Sequence, residues 1–425
     1  MTMHNCWVEI RAHFLEDNFR FLKTLAEPHA ELLAVLKADA YGHSINICAP
    51  AVVRAGARWL AVATVEGGVA ARALCPETRV LILCGAFPGQ GAAVVEHRLT
   101  PVAWQPWQLD ELETAARKAG KSAGSLPVHL EIDTGMSRQG VGLDDLAPLL
   151  SRFHSASPLQ LEGVMTHLFA SDEADRRVTE AQLALLDQAV HRIKSAGLNP
   201  EWLNVGSSAA LLAGEAAPIA ALAARYGMKA LLRPGLALYG VIPKFNPDFD
   251  SPEPPSLTAA RAHLQPILTW KTRVAGVRSI PAGAVVGYNG TFVATEPMRL
   301  ALVAAGYAEG LDRHLGNRFS LLVHSVRAPL VGRISMDSSV IDVTDIPGVA
   351  PGDEVVILGS QGSETITAHD LAEAAGTIPW EVFTRIGPRV LRVTVLWIKA
   401  ETKLRHNQSQ INLFHKPENE PGAEG

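Results

Sequence analysis

Short runs rich in valine, leucine and isoleucine recur between Glu31 and Gly240, and segments with helical apolar spacing lie between most of them. Runs that are apolar throughout, without polar alternation, are typical of strands buried on both faces of a parallel sheet. The runs are LLAVLKA from Leu32, LAVAT from Leu60, VLILCG from Val80, TPVAW from Thr100, VHLEID from Val128, LEGVMTHL from Leu161, WLNVGS from Trp202 and LALYG from Leu236. Eight strands alternating with helices predict an α/β fold with a (β/α)8 TIM-type barrel. An open, doubly wound parallel sheet is the alternative, because only the strand count separates the two.

The pattern changes after Phe245. The stretch KFNPDFDSPEPPSLTAARA contains four prolines, and we interpret it as a linker or surface loop without regular structure. Beyond it, segments such as AVVGYNGTFVA, SLLVHSVRAPLVGRISM and EVVILG are separated by turns and predict a mainly antiparallel β domain, with a short helix at AHDLAEAAG. The predicted organisation is a barrel over 1–243, a linker or loop over 244–263, a β domain over 264–396 and a polar tail over 397–425.

Charge and composition restrict the partners and the compartment. The chain has 38 basic and 43 acidic residues and no long basic run, so nucleic acid is not an expected partner. Neither a signal-peptide pattern nor a long apolar span is present, so we expect no membrane association and a cytoplasmic location. The four cysteines form no C-x-x-C pair, which predicts reduced thiols and no metal site.

Polar residues follow several of the predicted barrel strands, and in β/α barrels the active-site groups lie at the C-terminal ends of the strands. Lys37 ends the first run, where an unpaired ammonium is costly to bury. It either extends to solvent or acts as a Schiff-base nucleophile. The others are Arg138, His167, Ser207, Ser208, Arg233 and Gly235. The two serines open a helix near strands seven and eight, where barrels often bind phosphate; the alternative is that they only cap the helix.

Seven motifs, in order, resemble those of the alanine racemases, which are pyridoxal phosphate (PLP) enzymes of fold type III. They are AVLKADAYGH from Ala34, DTGMSRQG from Asp133, VMTHLFASD from Val164, RPGLALYG from Arg233, VGYNGTF from Val286, GYAEG from Gly306 and VGRISMDSSVIDVT from Val331. The resemblance extends over roughly residues 5 to 396.

The resemblance implies a two-base mechanism. Lys37 is similar to the lysine that binds PLP as a Schiff base and acts on the Cα proton of the D-isomer. Tyr288 is similar to the base on the opposite face, for the L-isomer. Met336 and Asp337 match a segment that a second subunit contributes near the substrate, and Tyr288 belongs to that subunit too. The implied active unit is therefore a homodimer with shared active sites.

The resemblance also implies how PLP is held. Tyr41 and Ser208 resemble phosphate ligands, together with the backbone of Gly235, and His167 matches a residue beside the ring. Arg233 matches the residue opposite the pyridine nitrogen. Because an arginine has only donors to offer, that nitrogen must stay an unprotonated acceptor. The carbanion is then less delocalised onto the ring, which disfavours transamination.

At the substrate end, Arg138 resembles the residue that orients the substrate carboxylate. The chain departs from the family at two positions. Glu131 replaces a lysine that is often carbamylated, and we predict that it supplies an anion beside Arg138; the alternative is that it pairs with another polar group inside the barrel. Trp380 replaces a tyrosine that usually contacts the phosphate and narrows the substrate entrance, so the sequence leaves open whether alanine is the sole substrate.

These observations predict a PLP-dependent racemase that interconverts L-alanine and D-alanine for peptidoglycan. A broad-specificity or serine-type racemase is one alternative. Another is a non-catalytic PLP-binding homeostasis protein, but such single-barrel proteins lack the second domain and Tyr288. A PLP decarboxylase of the same fold type is disfavoured by the GYAEG and SMDSS contexts and by Arg233.

Overall fold

The computed structural model describes residues 4–246 and 252–395. The chain begins with strand β1 (Cys6–Ile10), which lies outside the barrel. The next eight strands are all parallel and close into a barrel in chain order. They are β2 (Ala30–Val35), β3 (Trp59–Val62), β4 (Arg79–Ile82), β5 (Thr100–Ala103), β6 (Leu126–Glu131), β7 (Leu159–Met165), β8 (Trp202–Ser207) and β9 (Lys229–Arg233). The predicted barrel is therefore confirmed, and the open sheet is not.

Helices surround the barrel because each has one apolar face. In the first, the buried residues Leu15, Phe19, Leu22 and Ala26 recur at helical spacing and pack inward. The helices are α1 (Ala12–Ala26), α2 (Lys37–Tyr41), α3 (Ile45–Arg54), α4 (Val65–Leu74), α5 (Gly91–Glu96), α6 (Pro106–Lys118), α7 (Leu146–Leu150), α8 (Arg177–Ser195), α9 (Ser208–Leu212) and α10 (Ala216–Arg225).

The last barrel strand differs from its prediction. The run from Leu236 is a 3₁₀ helix, Leu236–Tyr239, and the eighth strand is β9, which ends at Arg233. Pro234 follows β9 and has no N–H to continue a strand ladder. The 3₁₀ helix is nonetheless buried along its whole length, so its apolar composition alone could not be told from that of a buried strand.

The second domain is built on a nine-stranded sheet, mainly antiparallel as predicted. The sheet consists of β1, β10 and β13 to β19, and β11 and β12 form a separate small hairpin. The strands of this domain are β10 (Leu268–Ile280), β11 (Val285–Val286), β12 (Phe292–Val293), β13 (Met298–Val303), β14 (Ser320–Val323), β15 (Val326–Pro329), β16 (Ser339–Asp342), β17 (Glu354–Gln361), β18 (Glu364–Ile366) and β19 (Leu391–Thr394). Strand β1 pairs antiparallel with β10 and parallel with β19, so it joins this sheet although it precedes the barrel in sequence.

The proline-rich stretch is not wholly irregular, which corrects the prediction. Its second half forms helix α11 (Pro255–His263), and residues 247–251 lie outside the described residues. Pro254 precedes the helix and Pro255 occupies its first turn, where a missing N–H leaves no hydrogen bond unmade. Two further helices, α12 (Ala368–Ala375) and α13 (Pro379–Arg385), complete the second domain. Within the described residues, no helix combines the length and apolar character needed to cross a lipid bilayer.

Candidate active site

The predicted barrel residues meet at one end of the barrel, at the C-terminal ends of its strands. Lys37 follows β2, Arg138 lies in the loop after β6, His167 follows β7, Ser208 opens α9 after β8, and Arg233 ends β9. Burial and the positive charges of Arg233, Arg138 and Lys37 lower the pKa of His167 to about 3. These groups are therefore close enough to interact electrostatically, and His167 is a neutral imidazole.

The chain directly after Lys37 has an unusual backbone. Residues 38–41 all have φ between 52° and 55°, so α2 contains a left-handed turn. Such a conformation costs roughly 1–2 kcal/mol for each residue with a side chain. The turn is held by His43, whose Nδ1 lies 3.0 Å from the Ala40 oxygen and 2.8 Å from the Tyr41 oxygen. It presents Lys37 and Tyr41 together at the end of the barrel.

The ammonium group of Lys37 makes no hydrogen bond or ion pair with any residue that the structure describes. Lys37 is exposed at residue level, but partial desolvation of its ammonium group lowers its pKa, and the nearby positive charge of Arg138 lowers it further. Both effects favour the uncharged amine, which is the form that attacks a carbonyl or accepts a proton.

The guanidinium of Arg233 is buried and almost fully hydrogen-bonded. Its Nη1 donates to the backbone and side-chain oxygens of Asn204, both at 2.6 Å. Its Nη2 donates to the Thr166 oxygen at 2.8 Å and to Nδ1 of His167 at 3.3 Å. Burial lowers the pKa of Arg233 to about 10, so it stays charged at neutral pH. Among the described residues nothing accepts from its Nε–H, which leaves one donor for a ligand.

Ser208, Tyr41 and Gly235 lie together beside Arg233. The Ser208 hydroxyl oxygen accepts from the backbone N–H groups of Gly235, at 2.9 Å, and Ala237, at 3.2 Å. Its own proton is therefore free to donate to a phosphate. Because the Gly235 N–H already donates to Ser208, it can make the predicted contact with a phosphate only by giving up that hydrogen bond.

Glu131 lies inside the barrel, 2% exposed, and accepts a hydrogen bond from Gln139. Burial raises its pKa to about 7, against the opposing effects of Gln139 and the positive charges of Arg233 and Arg138. No hydrogen bond or ion pair links Glu131 to Arg138 within the described chain. The hydrogen-bond partner of Glu131 is thus Gln139, which is the alternative that the sequence left open. Arg138 affects Glu131 only electrostatically, without a hydrogen bond.

The predicted second-subunit residues lie in the other domain and face outward. Tyr288 is 67% exposed and Met336 is 54% exposed. Asp337 pairs with Arg389 at 2.7 Å, and Arg389 also pairs with the buried Glu309. No described hydrogen bond or ion pair joins Tyr288, Met336 or Asp337 to the barrel residues of the same chain.

Trp380 lies on α13, which packs against the turn that carries Lys37 and Tyr41. Its side chain lines a cavity of about 1070 Å³ that is also lined by Tyr239 and Phe383. None of the predicted PLP ligands lines this cavity, so Trp380 is near the site without sharing a cavity with it.

Two residues with direct contacts to the site were not predicted. Asn204 accepts from Arg233, and Gln139 donates to Glu131. Asn204 lies in the run WLNVGS, where a polar residue between apolar neighbours was the available signal. Gln139 directly follows Arg138 in DTGMSRQG, and nothing in its spacing distinguishes it from a surface residue.

The comparisons with known proteins identify the family of the chain. The alanine racemase N-terminal domain family matches residues 10–243, and the alanine racemase C-terminal domain family matches residues 267–394. An alanine racemase of Syntrophobacter fumaroxidans is 34% identical over 386 residues, which are 91% of this chain and 96% of that protein.

Solved structures show the same similarity. The crystal structure of an alanine racemase from Streptomyces lavendulae has a TM-score of 0.82 and 33% identity, covering 94% of this chain and 99% of that one. One from Bartonella henselae, with covalently bound pyridoxal phosphate, has a TM-score of 0.77 and 26% identity, covering 92% and 100%. The chain therefore belongs to the alanine racemase family of pyridoxal-phosphate-dependent isomerases.

Proposed function

We propose that this PLP-dependent alanine racemase moves the Cα proton of alanine with two bases, Lys37 of one subunit and Tyr288 of a second. The observation that carries the proposal is the state of Lys37, which lies at the C-terminal end of the barrel with no ion pair in the described chain, and whose pKa is lowered by partial desolvation and by Arg138. An inverted product requires a proton to leave one face of Cα and another to arrive on the opposite face. One lysine cannot reach both faces, so a second acid–base group is needed.

The barrel residues fit PLP. The free proton of Ser208 and the buried hydroxyl of Tyr41 suit a phosphate, and Lys37 suits the aldehyde. When bound, PLP withdraws electrons from the substrate and makes the Cα proton more acidic. The remaining chemistry, which is to hold the ring, orient the substrate and carry protons, falls to the chain.

Arg233 is proposed to hold the pyridine nitrogen. Four of its five N–H groups donate within the protein, to Asn204, Thr166 and His167, and only Nε–H is left. A charged donor facing the nitrogen keeps that nitrogen an acceptor. His167 uses Nδ1 to accept from Arg233, so its proton resides on Nε2 and the ring stays neutral beside the site.

Arg138 is proposed to bind the substrate carboxylate, because its guanidinium can form two parallel hydrogen bonds to one carboxylate and so set its orientation. The ionised form of Glu131 attracts Arg138 from inside the barrel. Met336 and Asp337 of the second subunit are proposed to lie near the same substrate, with Tyr288.

The proposed active unit is a homodimer, supported by the outward-facing positions of Tyr288 and Met336. A large exposed aromatic ring gains burial when a partner covers it. We further propose that the enzyme works in the cytoplasm and supplies D-alanine for peptidoglycan. The free cysteines Cys6, Cys48, Cys75 and Cys84 are consistent with a reducing compartment.

The function is tested by incubating the purified protein with PLP and each of a panel of L-amino acids, then separating the enantiomers by chiral chromatography. We expect L-alanine to be converted fastest. Lys37→Ala should lower the rate by more than about 10⁴-fold, since general-base catalysis alone contributes about 10² to 10⁴. Borohydride should attach the cofactor to Lys37, detectable by peptide mass spectrometry. A folded Lys37→Ala protein that still racemises alanine would refute the assignment.

A further inference from the structure

A line of polar contacts runs from Arg233 across the barrel interior. Nη1 of Arg233 donates to Oδ1 of Asn204 at 2.6 Å, and Nδ2 of Asn204 lies 3.2 Å from Nδ1 of His129. Nε2 of His129 lies 3.5 Å from Oε2 of Glu162, longer than a hydrogen bond, and neither of these two buried atoms has a hydrogen-bond partner among the described residues. Oε1 of Glu162 accepts from Arg79. The line begins at the C-terminal end of β9 and ends at the N-terminal end of β4.

The two arginines at the ends of this line, Arg233 and Arg79, determine which atom carries each proton along it. Arg233 has only donors, so Asn204 must turn its oxygen toward it and its amide nitrogen toward His129. Nδ1 of His129 must then accept, which places the ring proton on Nε2, facing Glu162. At the far end Arg79 again has only donors, and it requires an oxygen from Glu162. Both arginines therefore require the same assignment of donors and acceptors, and no other assignment suits every residue of the line.

We propose that Glu162 is a positioning residue for Arg233, acting through His129 and Asn204. The proposal rests on the proposed role of Arg233 opposite the pyridine nitrogen. An ionised Glu162 offers Oε2 as the acceptor that faces Nε2 of His129, which favours the ring proton on Nε2 and leaves Nδ1 to accept from Asn204. Asn204 is thereby held in the one orientation in which it accepts from Arg233, and the free Nε–H of Arg233 keeps its direction.

The surrounding packing is built around this line. Gly163 leaves room for the imidazole, since a Cβ there would lie 2.5 Å from Cε1 of His129. The Arg79 guanidinium carbon lies 3.8 Å from the centre of the Trp59 ring, and Trp59 also meets the edge of His129 at 5.8 Å. Burial acts to raise the pKa of Glu162, but its contacts with His129 and Arg79 outweigh burial and lower it. The carboxylate therefore stays ionised at neutral pH.

Glu162→Gln should exchange the donor and acceptor roles of the residues along the line. The new amide must give its oxygen to Arg79, which leaves its NH₂ facing Nε2 of His129. His129 then accepts at Nε2 and carries its proton on Nδ1. Asn204 must turn its oxygen toward His129, and its NH₂ group then faces the donors of Arg233. Arg233 loses an acceptor and its orientation is loosened, although the substitution is far from the ring.

The matched control is Glu215→Gln. Glu215 is a buried carboxylate that, like Glu162, pairs with one arginine, Arg176, but no described hydrogen bond or ion pair joins it to the line. Both variants remove one buried charge of the barrel domain, so both should lower the melting temperature. Only Glu162→Gln should change the environment of the pyridine nitrogen.

The experiment measures three quantities in the PLP-loaded enzymes: the absorbance of bound PLP as a function of pH, the fraction of turnovers that end in transamination, and kcat and KM for alanine. For Glu162→Gln we expect a shift of about one pH unit in the absorbance titration. We also expect more transamination and a kcat about 10- to 100-fold lower at nearly unchanged KM, as small misplacements produce. Glu215→Gln should change none of these.

Arg233→Gln separates the possible failures. If it alters the absorbance and Glu162→Gln does not, the positioning role of Glu162 is wrong and the role of Arg233 stands. If neither variant alters it, the proposed role of Arg233 fails as well. Should Glu162→Gln not fold, His129→Leu replaces it, because it removes the link between Glu162 and Asn204 and leaves the pair of Glu162 and Arg79 in place. Its absorbance shift should have the same direction and be smaller, and an unchanged titration would overturn the proposal.

Discussion

Gly235 has no side chain at the point where the Tyr41 hydroxyl approaches it, and a Cβ atom there would lie 2.3 Å from that oxygen and 3.0 Å from Cζ. The Tyr41 ring is 5% exposed and packs against Tyr239, with ring centres 4.9 Å apart. Two elements would hold the phosphate, the turn after β2 and the loop after β9. They are therefore in direct contact through Tyr41 and Gly235.

The first prediction follows from this contact. Gly235→Ala should displace the Tyr41 hydroxyl and weaken PLP binding by about tenfold or more, since overpacking a buried site costs roughly 1–3 kcal/mol. The dissociation constant for PLP, measured by absorbance or fluorescence titration of the apoprotein, checks this. Gly142→Ala is the control, because a Cβ at Gly142 meets no atom of the described residues within 4 Å. Equal PLP affinity in the two variants would show that Tyr41 and Gly235 do not form the phosphate site.

The second prediction concerns the shared active site. Lys37→Ala and Tyr288→Phe should each be nearly inactive as homodimers. A mixed dimer contains one site with both defects and one intact site, so mixing should restore up to about half of the wild-type activity per mixed dimer. Subunit exchange is followed with two affinity tags, and activity is measured on the doubly tagged species. Exchange without recovery would indicate that both bases come from one chain.

The third prediction concerns Trp380. Trp380→Tyr should introduce a hydroxyl on α13, beside the turn of Lys37 and Tyr41. If this position contacts the phosphate, PLP should dissociate more slowly and the ratio of serine to alanine turnover should change. Both are measured on the purified holoenzyme. Because Trp380 lines a separate cavity in the structure, unchanged values would assign it to packing between the domains.

The fourth prediction concerns Glu131. Burial raises its pKa from 4.5 to about 7, so the folded protein holds this proton at pH values where the unfolded chain has lost it. The stability that this proton provides is complete below pH 4.5 and is lost as the pH rises through 7, at a cost of up to about 3 kcal/mol. Glu131→Gln cannot ionise and escapes that loss.

The melting temperature of Glu131→Gln should therefore match that of the wild type near pH 4.5 and exceed it above pH 7, in parallel thermal scans. The same variant should raise KM for alanine at pH 8, because Arg138 loses the attraction of the ionised carboxylate. If the melting temperatures of the variant and the wild type change equally with pH, and KM is unchanged, Glu131 neither causes the pH-dependent loss of stability nor assists Arg138.

Several parts of this protein could be predicted from residues close in sequence. Continuous apolar runs such as the one at Leu60 identified the barrel strands, since burial on both faces requires that composition. The family motifs predicted the roles proposed for Lys37 and Tyr288. The run at Leu236 was misassigned, because burial makes a 3₁₀ helix as apolar as a strand. The helix at Pro255 was missed, because prolines that break a helix interior also begin helices.

The sequence by itself determined the fold class and the family, and it predicted the residues of the proposed site, because each is encoded in the composition and spacing of local segments. Only the tertiary structure decided the partners of those residues. Glu131 accepts a hydrogen bond from Gln139, and Arg233 donates to Asn204, which is in turn hydrogen-bonded to His129 in the barrel interior. Hydrogen bonds of this kind depend on atomic distances between strands far apart in the chain. A sequence states which donors and acceptors exist, and only the closure of the barrel sets which of them meet.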